Sequence, residues 1–385
     1  MFVIALKAAL LNAVLHPRAK NCEMETIMRA TWTVHSALCA SLTALTLLTA
    51  AKPALAETHF VDPAANDTGT GTSNDPLPSI QKALERAMPG DTVLLAPGRY
   101  FQDFRTVRDG RQGQSIVIEG QKNAIVSGAG EPRIVQINHD YIELRGFTID
   151  GKHRDDDRKD AYRDKLIYAI GTRPGDGVTG LRIIGMHLKN AGGECVRLRY
   201  QAQRNEVARS TIQNCGIYDF VYDGGGKNGE GIYIGTAPEQ LGRNGAPDSA
   251  IDRSDDNWIH HNTFDTRGNE CVDIKEGSSG NIVEHNHCTG QKDKDSAGLD
   301  ARGSGNTFRH NTVYGNRGAG IRLGGDTAQD GIRNSAYANT LRDNAVGSLK
   351  VQTGPQGKIC GNVVVGKKTE TTGKFGEKIN PRQPC

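Results

Sequence analysis

An asparagine closing a short apolar strand returns at Asn262, Asn286, Asn311, Asn339 and Asn362, at spacings of 24, 25, 28 and 23 residues. A period of that length is one turn of a solenoid, whereas a sandwich shows turn signals every 8–12 residues or about that. Residues 269–325 repeat one unit, an alternating strand followed by a Gly/Ser/Asn turn and a second strand. The alternating strands align as Val272-Asp273-Ile274-Lys275, Leu299-Asp300-Ala301-Arg302 and Ile321-Arg322-Leu323-Gly324. Side chains alternate faces along a strand, so Val272/Ile274, Leu299/Ala301 and Ile321/Leu323 share an apolar face. The opposite face carries two files, Asp273, Asp300 and Arg322 in one and Lys275, Arg302 and Gly324 in the other. Stacked units put neighbours in a file about 4.8 Å apart. Aromatic residues make up only 5% of the chain and there are 47 glycines, which suits a narrow, repetitive core. The expected fold is all-β, a single right-handed parallel β-helix with three strands per turn. An asparagine at each turn can stack as a hydrogen-bonded ladder and tolerates the left-handed backbone of a tight bend.

The same reading extends in both directions. Residues 79–87 have Ile80, Ala83, Leu84 and Ala87 on one side, the spacing of a short amphipathic helix ended by Pro89-Gly90. Such a helix would cap the open end of the stack. Residues 152–165 and 236–256 escape the rhythm and are expected to leave the stack as loops walling a groove. Residues 28–56 read as a secretory signal peptide cleaved before Glu57, and 1–27 as a doubtful upstream segment, which leaves 57–385 as the β-helix domain. Removing the five basic and two acidic residues of 1–56 from the chain's 47 and 44 leaves 42 of each sign. That balance argues against nonspecific nucleic-acid binding, so an anionic partner must be read by a local patch. Six cysteines remain in an exported chain. The segments Gly-Gly-Glu-Cys195 to Cys215 and Gly-Asn-Glu-Cys271 to Cys288 are copies, so Cys195 pairs with Cys215, Cys271 with Cys288, and Cys360 with Cys385 at the C-terminus. A secreted or periplasmic monomer with no stable membrane insertion is expected.

Extending the files backward puts Arg199 with Lys275 and Arg302, and Arg197 and Tyr233 with Asp273, Asp300 and Arg322. A lysine pressed against arginines has its ammonium form disfavoured, a lowered pKa, and a neutral amine available as a base. The arginines can hold a sugar carboxylate. Arg199, Tyr233, Asp300 and Arg322 are therefore read as substrate-binding, and an acidic polysaccharide as the partner. Three other readings stand beside this one: ordinary cross-strand charge pairing, a glycoside hydrolase using Asp273 and Asp300, and a non-catalytic carbohydrate-binding β-helix. His260, His261, His285, His287 and His310 read as ladder or surface residues.

The successive segments 228–236, 269–275, 299–303 and 320–323 resemble, in order, the signature turns of the family 6 polysaccharide lyases, which include alginate lyases and chondroitinase B. The resemblance covers residues 228–325. It implies a lyase that cleaves a uronate polymer by β-elimination, with Lys275 taking the C5 proton and Arg302 assisting the leaving oxygen. It also implies calcium held by Asn228 and Glu270, with Asp273 standing in for a second acid. The chain departs from the pattern at Gly303, where the family has histidine, and at Gly268, where it has an acid.

Overall fold

The computed structural model describes residues 55–385 except 244, 328 and 367–369; the segment 1–27 and the body of the signal peptide lie outside the described residues. Among the described residues the strands form three sheets of eleven, ten and ten strands. The chain visits the sheets in rotation. Trp258–His260 lies in the first, Thr263–Asp265 in the third and Val272–Ile274 in the second, and Ile282–Glu284 then returns to the first, one rung on. Each strand pairs in parallel with its counterpart in the next turn, as Trp258 with Ile282, Thr263 with His287 and Val272 with Leu299 show. This is the expected parallel β-helix with three strands per turn.

Strands of three residues suffice because each contributes one or two side chains to a shared column. Ile259, Val283, Phe308 and Ala336 stack from the first sheet, Phe264, Cys288, Val313 and Leu341 from the third, and Ile274, Ala301, Leu323 and Val351 from the second; all are buried. The columns leave a core too thin for many aromatics. At the N-terminal end the helix Ile80–Arg86 starts at Ser79, whose side chain accepts from the Lys82 N–H. Its buried face, Ile80, Ala83 and Leu84, joins the core, and it packs on Thr58–Val61, Thr92–Leu95 and Phe104–Arg105, so it covers the first rung as expected. No helix among the described residues is long and apolar enough to cross a membrane.

The asparagine ladder is present and buried. Asn262 Nδ2 donates to Asn286 Oδ1 at 3.0 Å, Asn286 to Asn311 at 3.1 Å, Asn311 to Asn339 at 3.0 Å and Asn339 to Asn362 at 3.0 Å. One expectation about it is corrected: the left-handed residue is the one before each asparagine. His261, His285, His310 and Ala338 have φ of 55°, 54°, 56° and 55°. The asparagine N–H must itself donate along the ladder, so the bend falls one residue earlier. A left-handed conformation costs a non-glycine residue roughly 1–2 kcal/mol. The histidines recover part of it by stacking, His261 on His285 and His285 on His310 with centroids 4.9 Å apart in each case. A second ladder, through Asn205, Asn257, Asn281 and Asn306, occupies the corner before the first sheet.

All three disulfides pair as expected, Cys195 with Cys215, Cys271 with Cys288 and Cys360 with Cys385. Cys271 precedes a strand of the second sheet, and Cys288 lies in a strand of the third sheet one turn later. The bond thus ties adjacent turns through the core, and closing a loop of this size contributes about 3 kcal/mol.

Candidate active site

The outward file on the second sheet is built by register alone. Arg197 stands beside Tyr233, Tyr233 beside Asp273, Asp273 beside Asp300, and Asp300 beside Arg322. Lys275 and Arg302 follow two residues on, and their N–H groups continue the ladder to Ile234 and Ile274 at 2.8 Å each. The sequence therefore places Lys275, Asp273, Asp300, Arg302 and Arg322 together. What it does not place is the covering: Lys275 is only 5% exposed and Asp273 is fully buried.

That burial corrects the expectation for Lys275. Its Nζ lies 2.6 Å from Asp273 Oδ2, closer than to any arginine the register brings near. Burial draws the lysine pKa down, but Asp273, Tyr233 and Glu230 together outweigh it and the net shift is upward. In the resting protein Lys275 is thus a paired ammonium, and its side chain is neither exposed nor free. Its Nζ also sits 4.6 Å from the Tyr233 ring centroid, while Arg197 covers the same ring at 4.1 Å. Tyr233, 3% exposed, therefore separates two cations instead of presenting a face to a sugar.

Two further residues read as substrate-binding are also supports. Arg199 is fully buried, with its guanidinium on Tyr168 Oη at 3.0 Å, Thr236 Oγ1 at 3.1 Å and the Gln240 carbonyl at 3.4 Å. The described residues of 236–256 do leave the stack, as expected, but Thr236 and Gln240 close on Arg199. Asp300 is fully buried beneath Arg302 and Arg322 and holds both through Oδ2, at 3.4 and 3.3 Å. Arg302 keeps partial access, with its side chain 19% exposed.

The acidic cluster is Glu230, Glu270 and Asp273, each offering one oxygen within 4.8 Å of the others. Asn228, expected as a ligand, is exposed, and its Nδ2 donates to Asp219 at 3.0 Å. The register explains why the glutamates gather. Glu194, Glu230 and Glu270 each stand two residues before strand positions that pair, Val196 with Ile232 and Ile232 with Val272, and so form a column. The signal was in the sequence, as a glutamate at a constant offset in three consecutive units. In this column Glu194 is neutralised by Lys165 at 2.7 Å and Arg197 at 2.6 Å, whereas Glu230 and Glu270 have no such cation among the described residues. Burial, then the negative charge of Glu194, pushes the Glu230 carboxyl up to about 7. Burial, then Asp273 and Glu230, pushes Glu270 well above the usual carboxylate range. Glu230 accepts the Gly229 N–H at 2.8 Å and Glu270 accepts the Ser296 hydroxyl, but Glu270 Oε2 is buried without a hydrogen-bond donor. Buried carboxylates with spare oxygens fit a hard, oxygen-seeking dication.

The two departures from the family pattern have steric causes. A Cβ at Gly303 would lie 2.1 Å from the Ser278 carbonyl oxygen, and one at Gly268 2.2 Å from that of Cys215. Neither position has room for a side chain.

A pH dependence follows for chelated protein. Glu230 holds its proton to about 7 in the fold but to an ordinary carboxylate value when unfolded, so between these values the folded state binds more protons. Stability contributed by this group is therefore lost as pH rises from about 4.5 towards 7. Thermal melts in a chelator should give a lower melting temperature at pH 8 than at pH 5, and added calcium should raise it more at pH 8. Melting temperatures in chelator that do not differ between the two pH values would remove the argument for uncompensated charge.

No protein-family model matches the chain. An uncharacterized protein of Bacillus subtilis, YwoF, is 28% identical over 100 residues, which are 23% of this chain and 21% of YwoF. The chain thus matches about a fifth of that relative's length. Among solved structures, an alginate lyase from Paenibacillus sp. superposes with a TM-score of 0.57 and 20% identity, over 82% of this chain and 99% of its own. A pectate lyase gives a TM-score of 0.54 and 13% identity, over 83% of this chain and 77% of its own. A protein of Geobacillus virus E2 gives 0.52 and 12%, over 84% and 59%. At these identities the likeness establishes the parallel β-helix fold.

Proposed function

We propose that this chain is an exported polysaccharide lyase that cleaves a uronate-containing polymer by β-elimination. The observation that carries the reading is the placing of Lys275, Asp273, Arg302 and Arg322 on three consecutive rungs beside the Glu230 and Glu270 carboxyls. An alginate lyase and a pectate lyase sharing the fold support the substrate class. The three disulfides, with the signal peptide expected from the sequence, support an oxidising compartment, secreted or periplasmic.

In the elimination Lys275 first gives up its ammonium proton to water, and its neutral amine then takes the C5 proton as the C5–H bond breaks. The electron pair forms the C4–C5 double bond, and the C4–O bond breaks; Arg302 is placed to stabilise the departing oxygen, which takes its proton from water. Negative charge gathers on the substrate carboxylate as the proton leaves, so fixed cations there lower the barrier. Arg302 and Arg322 are such cations. Glu230, Glu270 and Asp273 would hold calcium, which when bound supplies further neutralising charge and draws on the carboxylate that keeps Lys275 protonated. The hydrolase alternative fares worse, because Asp273 and Asp300 are fully buried and tied to Lys275, Arg302 and Arg322.

The test is incubation of the exported chain with alginate, dermatan, pectate and glucuronan, read at the absorbance of the unsaturated uronate. Unsaturated ends on one of them, lost with a chelator and restored by calcium, are the expected result. Saturated reducing ends would make it a hydrolase, and retention without cleavage a binding protein.

A further inference from the structure

Arg302 and Arg322 share a second carboxylate besides the buried Asp300. Asp326 gives each guanidinium its own oxygen, Oδ2 to Arg302 Nη1 at 2.9 Å and Oδ1 to Arg322 Nη2 at 2.8 Å. The two aspartates differ in kind. Asp300 is fully buried in a strand, while the Asp326 side chain is 66% exposed and comes from the turn after Ala319–Leu323. That turn is entered through Gly324, whose φ of 127° is open to glycine and strained for other residues. The Asp326 N–H has a long contact of 3.4 Å to Glu276 Oε1. The side chain is thus held mainly by two ion pairs that are open to solvent on the aspartate side, where screening weakens them.

The charges explain why an acid stands there. Below the pair, the buried Asp273 and Asp300 offset two of the three positive charges of Lys275, Arg302 and Arg322, and a further negative charge on the open side completes the balance. Two planar donors holding one carboxylate by separate oxygens is the arrangement in which arginines bind a free carboxylate.

We propose that the Arg302/Arg322 pair is a seat for a sugar carboxylate and that Asp326 occupies it as an internal competitor, displaced when an acidic ring binds. The uronate as ligand rests on the lyase reading; the competition does not. Asp326 then acts as a specificity-determining residue. A ring bearing a carboxylate replaces its charge one for one, whereas a neutral ring would leave the guanidinium groups unbalanced.

The experiment is calorimetric titration of free glucuronate, with glucose as the neutral control, into the parent chain, Asp326→Asn and Arg322→Gln. Asparagine keeps the size and removes the charge. Asp326→Asn should bind glucuronate about five- to tenfold tighter than the parent, the scale of two partly screened ion pairs released, with glucose unaffected. Arg322→Gln should weaken glucuronate binding in both the parent and the Asp326→Asn background. Equal glucuronate affinity in parent and Asp326→Asn, or binding indifferent to Arg322→Gln, overturns the proposal. Tighter glucuronate binding by Asp326→Asn in a chain that cleaves none of the polymers would keep the seat and remove the lyase reading. Cleavage with no change in glucuronate affinity would do the reverse.

Discussion

Lys275→Arg is expected to lower turnover on the cleaved polymer by about 10²–10⁴-fold, the loss typical of a missing general base, while leaving the melting temperature near that of the parent. The pairing with Asp273 makes arginine the informative substitution. Lys275 is nearly fully buried with its Nζ 2.6 Å from a fully buried carboxylate. Lys275→Ala would strand that carboxylate, and removing one partner of a buried pair costs about 3–5 kcal/mol. Its loss of activity would then be read together with a loss of fold. Arginine keeps the positive charge beside Asp273 but does not release a proton at working pH. The double variant Lys275→Met with Asp273→Asn, which removes both charges, should recover stability relative to Lys275→Ala and remain inactive. Initial rates and melts on the four proteins decide the matter. Should Lys275→Arg turn over at more than a tenth of the parent rate, Lys275 is not the base. If in addition Asp300→Asn is inactive and the products are saturated, the hydrolase reading replaces elimination.

The second large effect is on stability. Asn311 is 1% exposed, and its side chain donates to the Val283 carbonyl at 2.8 Å and to Asn339 Oδ1 at 3.0 Å. Its own Oδ1 accepts from the Asn286 N–H and Nδ2, both at 3.1 Å. Asn311→Ala removes the acceptor for the Asn286 N–H and the donor to Val283. Each buried polar group left without a partner costs about 1–3 kcal/mol, so the expected loss is about 2–6 kcal/mol. The neighbouring His310 is the control, because it is exposed and has φ of 56°. His310→Gly loses a ring stack but relieves the left-handed conformation, and should change stability by less than about 1 kcal/mol. Urea midpoints for the two variants should therefore be far apart. Equal midpoints would mean that the asparagines are not what holds successive turns in register.

The repeat made the architecture legible because a solenoid uses only neighbouring contacts. Once Val272, Leu299 and Ile321 were aligned, parallel stacking fixed the outward files, and Asp273, Asp300 and Arg322 do stand side by side. The disulfides followed for the same reason, since copies of one unit bring their cysteines to equivalent places. The column of Glu194, Glu230 and Glu270 was equally available from strand alignment.

Where each side chain's charge is answered was decided only in three dimensions. The wall was expected to face solvent, yet Lys275, Asp273, Tyr233 and Arg199 are all buried. The cover comes from segments outside the period. Thr236 and Gln240 close on Arg199, Ser296 reaches Glu270, and Lys227 bridges to Asp293 at 2.7 Å. Period and register say nothing of where such segments go, because their paths depend on contacts between residues far apart in sequence. The charges gathered in the covered site reverse the expected electrostatics. Burial and Arg302 both favour the neutral Lys275 amine, but Asp273, Tyr233 and Glu230 together hold the proton on it. Composition and spacing thus determined the fold and the line-up of charges, whereas the loops determined the dielectric in which those charges act, and with it their chemistry.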